Sequence, residues 1–187
     1  GRAPYREHRF GGTPAVRRVP PRSQQRFHDE GPTLSTPIIR AAQLADAPEM
    51  ARLAGQLDYP MSTDEMARLP GRLLASAQHF VAVAASGPGF LQGWAHVEHR
   101  SSIEGRDRAE LMGLVVDSSA RGHGTGRALV AAVERWAAER SLGVLIVRSN
   151  VARELSHPFY EALGYARQKT QHVYRKAMPA KGSATAG

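Results

Sequence analysis

There is no cysteine in the 187 residues. That absence removes disulfides, thiolate metal sites and cysteine nucleophiles together, and it does not distinguish a reducing compartment from an oxidising one. Aromatic residues are sparse at 6%, so a folded face of interleaved basic and aromatic side chains, the kind that stacks on bases, has little to draw on. Acidic residues are also short, 17 against 25 Lys and Arg, for a formal charge of +8. No apolar run approaches the roughly 20 residues that cross a bilayer. No charged-then-apolar leader stands at the start either, and the expectation is a soluble, cytoplasmic protein without a membrane partner.

The surplus charge is concentrated at one end. Arg2, Arg6, Arg9, Arg17, Arg18, Arg22 and Arg26 stand against only Glu7, Asp29 and Glu30, among Pro4, Pro14, Pro20, Pro21 and Pro32. Proline density without sustained periodicity predicts a disordered basic extension over 1–36. The folded part, 37–178, is then only mildly basic, nucleic acid is not expected as its partner, and 179–187 reads as a flexible tail. The 42% hydrophobic content suits one α/β domain.

Regular patterning starts after Thr36. "PIIRAAQ" reads as a strand. "DAPEMARLAGQL" follows as a helix with Asp46 placed to cap it, Pro48 in the first turn, and Met50, Leu53, Ala54 and Leu57 on one face. Ser62 and Glu65 form a capping box for a second helix that Pro70 and Gly71 shorten or bend. "HFVAVA" and "FLQGWAHVEH", joined by "ASGPG", predict an antiparallel hairpin. "AELMGLVV" is a third strand, followed by a helix from about Gly124 to Arg140, a buried strand in "GVLIVRS", a helix in "ARELSHPFYEAL" and a last strand in "HVYRKA".

Between the third of these strands and the long helix lies "VVDSSARGHGTGRALV", with Gly122, Gly124 and Gly126 at alternate positions. Glycines ahead of a helix N-terminus leave backbone N–H groups accessible where the helix dipole is positive, an arrangement suited to phosphate. A Walker loop would carry Lys and then Ser or Thr after its last glycine, where Arg127 and Ala128 stand. A dinucleotide fingerprint would need Gly or Ala at position 127. What remains is Arg-x-x-Gly-x-Gly, from Arg121, Gly124 and Gly126, or a merely flexible connection.

With "ELMGLVVDSSARGHGTGRALV" before it and "VRSNVARELSHPFYEALGYARQKTQHVYRKAM" after it, the chain resembles the GCN5-related N-acetyltransferase (GNAT) superfamily over roughly Ile38 to Met178. The resemblance implies an α/β fold with a mixed, mostly antiparallel central sheet of six to seven strands, about four flanking helices, and a splayed strand pair that holds acyl-CoA. It implies acetyl-CoA as co-substrate, no metal, and transfer to a primary amine by direct attack in a ternary complex. By the same resemblance, Arg121, Gly122, His123, Gly124, Thr125, Gly126 and Arg127 meet the pyrophosphate, with the Thr125 hydroxyl as a candidate donor. The main chain of Leu114, Val115 and Val116 would pair with pantetheine, Asn150 would bond it, and Tyr160 would protonate the departing thiolate. Asn150 also suits an ordinary turn, and Tyr160 a packed helix face.

An amine with a pKa near ~10 is mostly protonated at neutral pH, so its proton needs an acceptor. By the resemblance, Glu110, opening the strand before the glycines, is the candidate base, although a strand-end carboxylate also suits plain solvation. His96 and Glu98 share one strand face, with His99 on the other. The histidines show no paired metal spacing. Glu98, Glu104, Asp107 and Glu110 would make an acidic cleft suited to a small polyamine or aminoglycoside, whereas a peptide amine would need an open groove. The competing reading is a CoA-binding regulatory module without turnover. A homodimer is compatible with the resemblance, and no pattern fixes an interface.

Overall fold

The computed structural model describes residues 36–57, 68, 71–103, 105–154 and 156–178. The extension 1–35, the Ser62/Glu65 capping box, Pro70, Glu104 and the tail 179–187 lie outside the described residues. Eight elements organise the rest. They are β1 (Ile38–Ala41), α1 (Ala47–Ala54), β2 (His79–Ala85), β3 (Leu91–Ser102), β4 (Gly105–Val116), α2 (Thr125–Glu139), β5 (Leu145–Val147) and α3 (Ser156–Glu161). Residues 71–74 are also helical, although Gly71 was expected to break a helix.

The strands form one sheet in the order β1-β2-β3-β4-β5. Every pair is antiparallel except β4–β5, which is parallel. On one face α1 buries Met50, Leu53 and Ala54 against Val81, Val83, Leu91 and Val115. On the other, α2 sets Leu129, Val133 and Trp136 against Ala82, Ala84, Ala95, Val97, Ala109 and Leu111. Four alanines on the strands leave room for the large side chains of the helix, so volume is matched across the layer.

Asp46 does not cap α1 with its side chain. Its carboxylate instead takes a bidentate bond from Arg40 at 2.7 and 2.8 Å and one from the Gln43 N–H at 2.7 Å. The bidentate arginine fork and the Gln43 N–H occupy both carboxylate oxygens. The strand count is five among the described residues, below the six to seven expected. β5 is half-buried, not buried. The segment 165–178, where "HVYRKA" was expected to add a strand, has no regular structure, with Val173 and Tyr174 93% and 91% exposed. Apolar alternation supplies the pattern of a strand, and the ladder still needs a neighbour.

Candidate active site

Two irregularities in the sheet shape the site. Between β3 and β4, His96 pairs with Gly113 and Val97 with Leu111, so Met112 is an extra residue on β4. A bulge reverses the alternation after it. Ala109 and Leu111 face α2 before it and Leu114 and Val116 after it, while Val115 turns to the α1 side. β5 accompanies β4 only through Ala109, Glu110 and Leu111. Beyond the bulge, residues 112–116 have β3 on one side and no described strand on the other. This is the expected divergence of a strand pair, and it leaves the edge of Leu114, Val115 and Val116 away from β3 without a strand neighbour among the described residues.

The second irregularity is on β3. Ala84 pairs with Gly93 and Ala85 with Leu91, which leaves Gln92 as the extra residue. Its side chain is 1% exposed.

β4 runs into a loop whose glycines serve different needs. Gly122 and Gly124 have φ of +79° and +84°, with open space where a Cβ would stand. Those angles carry a steric cost for other residues. Gly126 is needed for closeness, since a Cβ there would lie 3.3 Å from the Phe159 ring and 3.5 Å from Val116. The exposed loop residues Arg121 and His123 turn back on the backbone, Arg121 Nε donating to the Val116 carbonyl at 3.2 Å and the His123 ring meeting the Arg121 carbonyl at 2.8 Å. Arg127 is exposed on the first turn of α2. Thr125 departs from expectation, being 2% exposed with its hydroxyl donating inward to Gln92 Oε1 at 3.0 Å. An outward-facing hydroxyl would have left the buried Gln92 oxygen without this donor, so only the Thr125 main chain remains for a ligand.

The loop starts from Asp117, whose carboxylate accepts from Ser119 N at 3.0 Å and Ser119 Oγ at 2.7 Å and pairs with Arg52 of α1. Burial alone would raise its pKa. The bonds from Ser119 and Arg52 outweigh burial and hold it at about 2. Arg52 also bonds Glu49 and the Leu91 carbonyl, tying helix, strand and loop together.

α3 brings Tyr160 to the divergence, where its ring packs against the cluster shared with Leu114, Val116 and Val147. Burial raises its phenol pKa, offset in part by Arg153. Phe159 is half-buried against Gly126. Asn150 uses Oδ1 to accept the Ala152 N–H at 3.0 Å, the ordinary turn bond, which does not involve Nδ2.

Glu110 is 4% exposed, with Oε1 bonded to Arg148 Nε at 2.6 Å and Oε2 3.7 Å from Arg100 Nε. Arg148 also bonds Gln171 at 2.8 Å. Glu98 pairs with Arg100 at 3.2 Å, and Asp107 with His99 at 3.1 Å. The expected acidic cleft is therefore not formed by Glu98, Asp107 and Glu110, each of which has a basic neighbour. His96 lies 3.2 Å from His79 across β2–β3. Burial first, then the charge of His79, hold His96 at about 4, against an opposite pull from Glu98. Among the described residues no group of three His, Asp or Glu is placed to hold a metal ion, and no helix is long and apolar enough to cross a membrane.

Sequence reasoning missed Gln92, Arg148 and the His79–His96 pair, whose partners lie far along the chain. A buried glutamine after a hairpin turn was the one local hint.

Comparison with known proteins bears on this geometry. The model of the Acetyltransferase (GNAT) family matches residues 46–165. An aminoglycoside N(6')-acetyltransferase type 1 from Stenotrophomonas maltophilia is 32% identical over 154 residues, 80% of this chain and 98% of that protein. Among solved structures, AAC(6')-Iy in complex with a CoA-S-monomethyl-acetylneamine bisubstrate analogue superposes with TM-score 0.67 at 22% identity, covering 75% of this chain and 98% of that one. An acetyltransferase from Trypanosoma brucei gives TM-score 0.63 at 26% identity, covering 74% and 99%.

Proposed function

The chain belongs to the acetyltransferase (GNAT) family, and from that premise we propose that it transfers an acetyl group from acetyl-CoA to the primary amine of a small molecule by direct attack in a ternary complex. One observation carries the reading. The glycine loop, with its left-handed Gly122 and Gly124, opens at the same end of β4 where residues 112–116 have, among the described residues, no strand on the side away from β3. A phosphate cradle and an unpaired strand edge in line suit a ligand that joins a pyrophosphate to an extended amide-bearing arm.

When bound, acetyl-CoA supplies an activated acetyl group on a thiol leaving group. The amides of Arg121, Gly122, His123, Gly124, Thr125, Gly126 and Arg127 hold its pyrophosphate, and the side chains of Arg121 and Arg127 add positive charge. The main chain of Leu114, Val115 and Val116 pairs with the pantetheine arm, and an amide near Val116 meets the thioester carbonyl. Asn150 bonds the arm through Nδ2. Tyr160, its proton held more tightly by burial, protonates the departing sulfur. Glu110 takes the proton of the amine through Oε2, a buried oxygen without a hydrogen-bond partner.

The name of the Stenotrophomonas relative favours an aminoglycoside as acceptor. The arginines beside Glu98 and Glu110 favour an amine with fewer positive charges. The presence of Tyr160 favours turnover over a CoA-binding module that only senses. We place the reaction in the cytoplasm, where acyl-CoA is available. Calorimetry with acetyl-CoA, followed by thiol-release assays over monoamines, polyamines, aminoglycosides and peptides, tests the proposal. Micromolar binding with thiol release for one acceptor class is expected, and absence of binding would overturn it.

A further inference from the structure

Gln92 touches the glycine loop at both ends. Its main-chain oxygen accepts the N–H of Asp117, where the loop starts, at 2.8 Å, and its side-chain Oε1 accepts the hydroxyl of Thr125, where the loop becomes α2, at 3.0 Å. Between those two residues the loop opens with a turn over Ser118–Ala120 held by Asp117, and its second half carries Gly122 and Gly124 at positive φ. One residue of a neighbouring strand thus bonds both ends of the loop.

The bulge explains how one residue does both. Gln92 is the extra residue of β3 opposite β2, and a bulge re-aims the side chain it carries. Its neighbour Gly93 lets the two strands approach closely, for a Cβ there would lie 2.5 Å from the Val115 carbonyl oxygen and 3.1 Å from Leu129. The Thr125–Gln92 bond is buried from end to end. A hydrogen bond away from water is rigid and costly to leave unmade.

We infer that Gln92 is a positioning residue for the co-substrate, a clasp that fixes the span of the loop so that its amides converge on the pyrophosphate. The inference rests on the acetyltransferase reading. Gln92 itself touches no reacting group. Its effect should fall on recognition of the pyrophosphate and spare the pantetheine arm, which lies along β4 past the loop.

The experiment compares the affinity of CoA with that of pantetheine, which lacks the pyrophosphate, by calorimetry on full-length protein. The variants are Gln92→Leu, Thr125→Val and Thr125→Ser. Thr125→Val is nearly isosteric and keeps the test informative if Gln92→Leu folds poorly. Gln92→Leu and Thr125→Val are each expected to weaken CoA by about tenfold and pantetheine by less than about twofold, and Thr125→Ser to restore the wild-type value. The double variant should be no worse than either single one, because both remove the same bond. Equal losses for both ligands, or none for CoA, would overturn the clasp alone. A wild-type protein that binds neither ligand would overturn the acetyltransferase reading and the clasp with it.

Discussion

The two ends of β4 differ in how their polar groups are satisfied. At the loop end, Asp117 is bonded by Ser119 and Arg52, Arg52 also by Glu49 and the Leu91 carbonyl, and Thr125 by Gln92. At the other end, Arg100 Nε, Arg108 Nε and Glu110 Oε2 are buried without hydrogen-bond partners. A buried polar atom left unpaired costs about 1–3 kcal/mol. The loop end therefore holds one shape by itself, as a preorganised binding surface should. The Glu110 end is where a bound polar group would gain most, and an acceptor amine with an acceptor atom close by would complement both Oε2 and Nε.

The most severe way to break the comparison is Gly93→Ala. The new Cβ would sit 2.5 Å from a backbone oxygen of β4, which cannot swing aside as a side chain can. Overpacking of this kind costs about 1–3 kcal/mol, and the upper end is expected in urea unfolding, with co-substrate binding falling alongside it. In the proposed role of Tyr160 as acid, Tyr160→Phe acts on chemistry alone. It should lower kcat by about 100-fold, the scale of one lost proton donor, while CoA affinity measured by calorimetry stays within about twofold. Wild-type turnover at every pH would exclude Tyr160 as the acid. Gly124→Val comes next, because φ of +84° costs a branched residue about 1–2 kcal/mol. CoA affinity should fall by about tenfold, and unchanged affinity would remove the loop from the binding surface.

The parts legible in the sequence were those written in local pattern. The β2–β3 hairpin declares itself through its alternation and "SGPG" turn, and α2 through its apolar stripe. Arg127 and Ala128 after the glycines excluded two nucleotide loops. What stayed hidden depends on distant partners. Thr125 looks like a ligand donor until β3 brings Gln92 to it from 33 positions away. Glu110 looks solvated until Arg148, 38 positions on, closes over it. The bulge at Met112 has no composition of its own, yet it decides which of Leu114, Val115 and Val116 face α2. "HVYRKA" has the pattern of a strand and no described strand to pair with.

The smallest expected effect sharpens the comparison by separating the ends with acid. His96, two residues before the Glu98 that pairs with Glu110 across β3–β4, is held at about 4 from an ordinary value of 6.5. Its neutral form is favoured by folding, so its contribution is fully present above pH 6.5 and is lost as pH falls toward 4. Asp117, at the loop end, is held at about 2 from 3.8, so its contribution is present above pH 3.8 and is lost only below that, toward 2. Acid should weaken the fold in two stages, the Glu110 end before the loop end. Urea unfolding at a series of pH values reads both. His96→Gln should flatten the decline between pH 6.5 and 4 and leave the lower stage intact, whereas Asp117→Asn should lower stability at neutral pH and flatten only the lower stage. If His96→Gln left the upper stage unchanged, the proton taken up there would belong to another group, and the two ends would not differ in their response to acid.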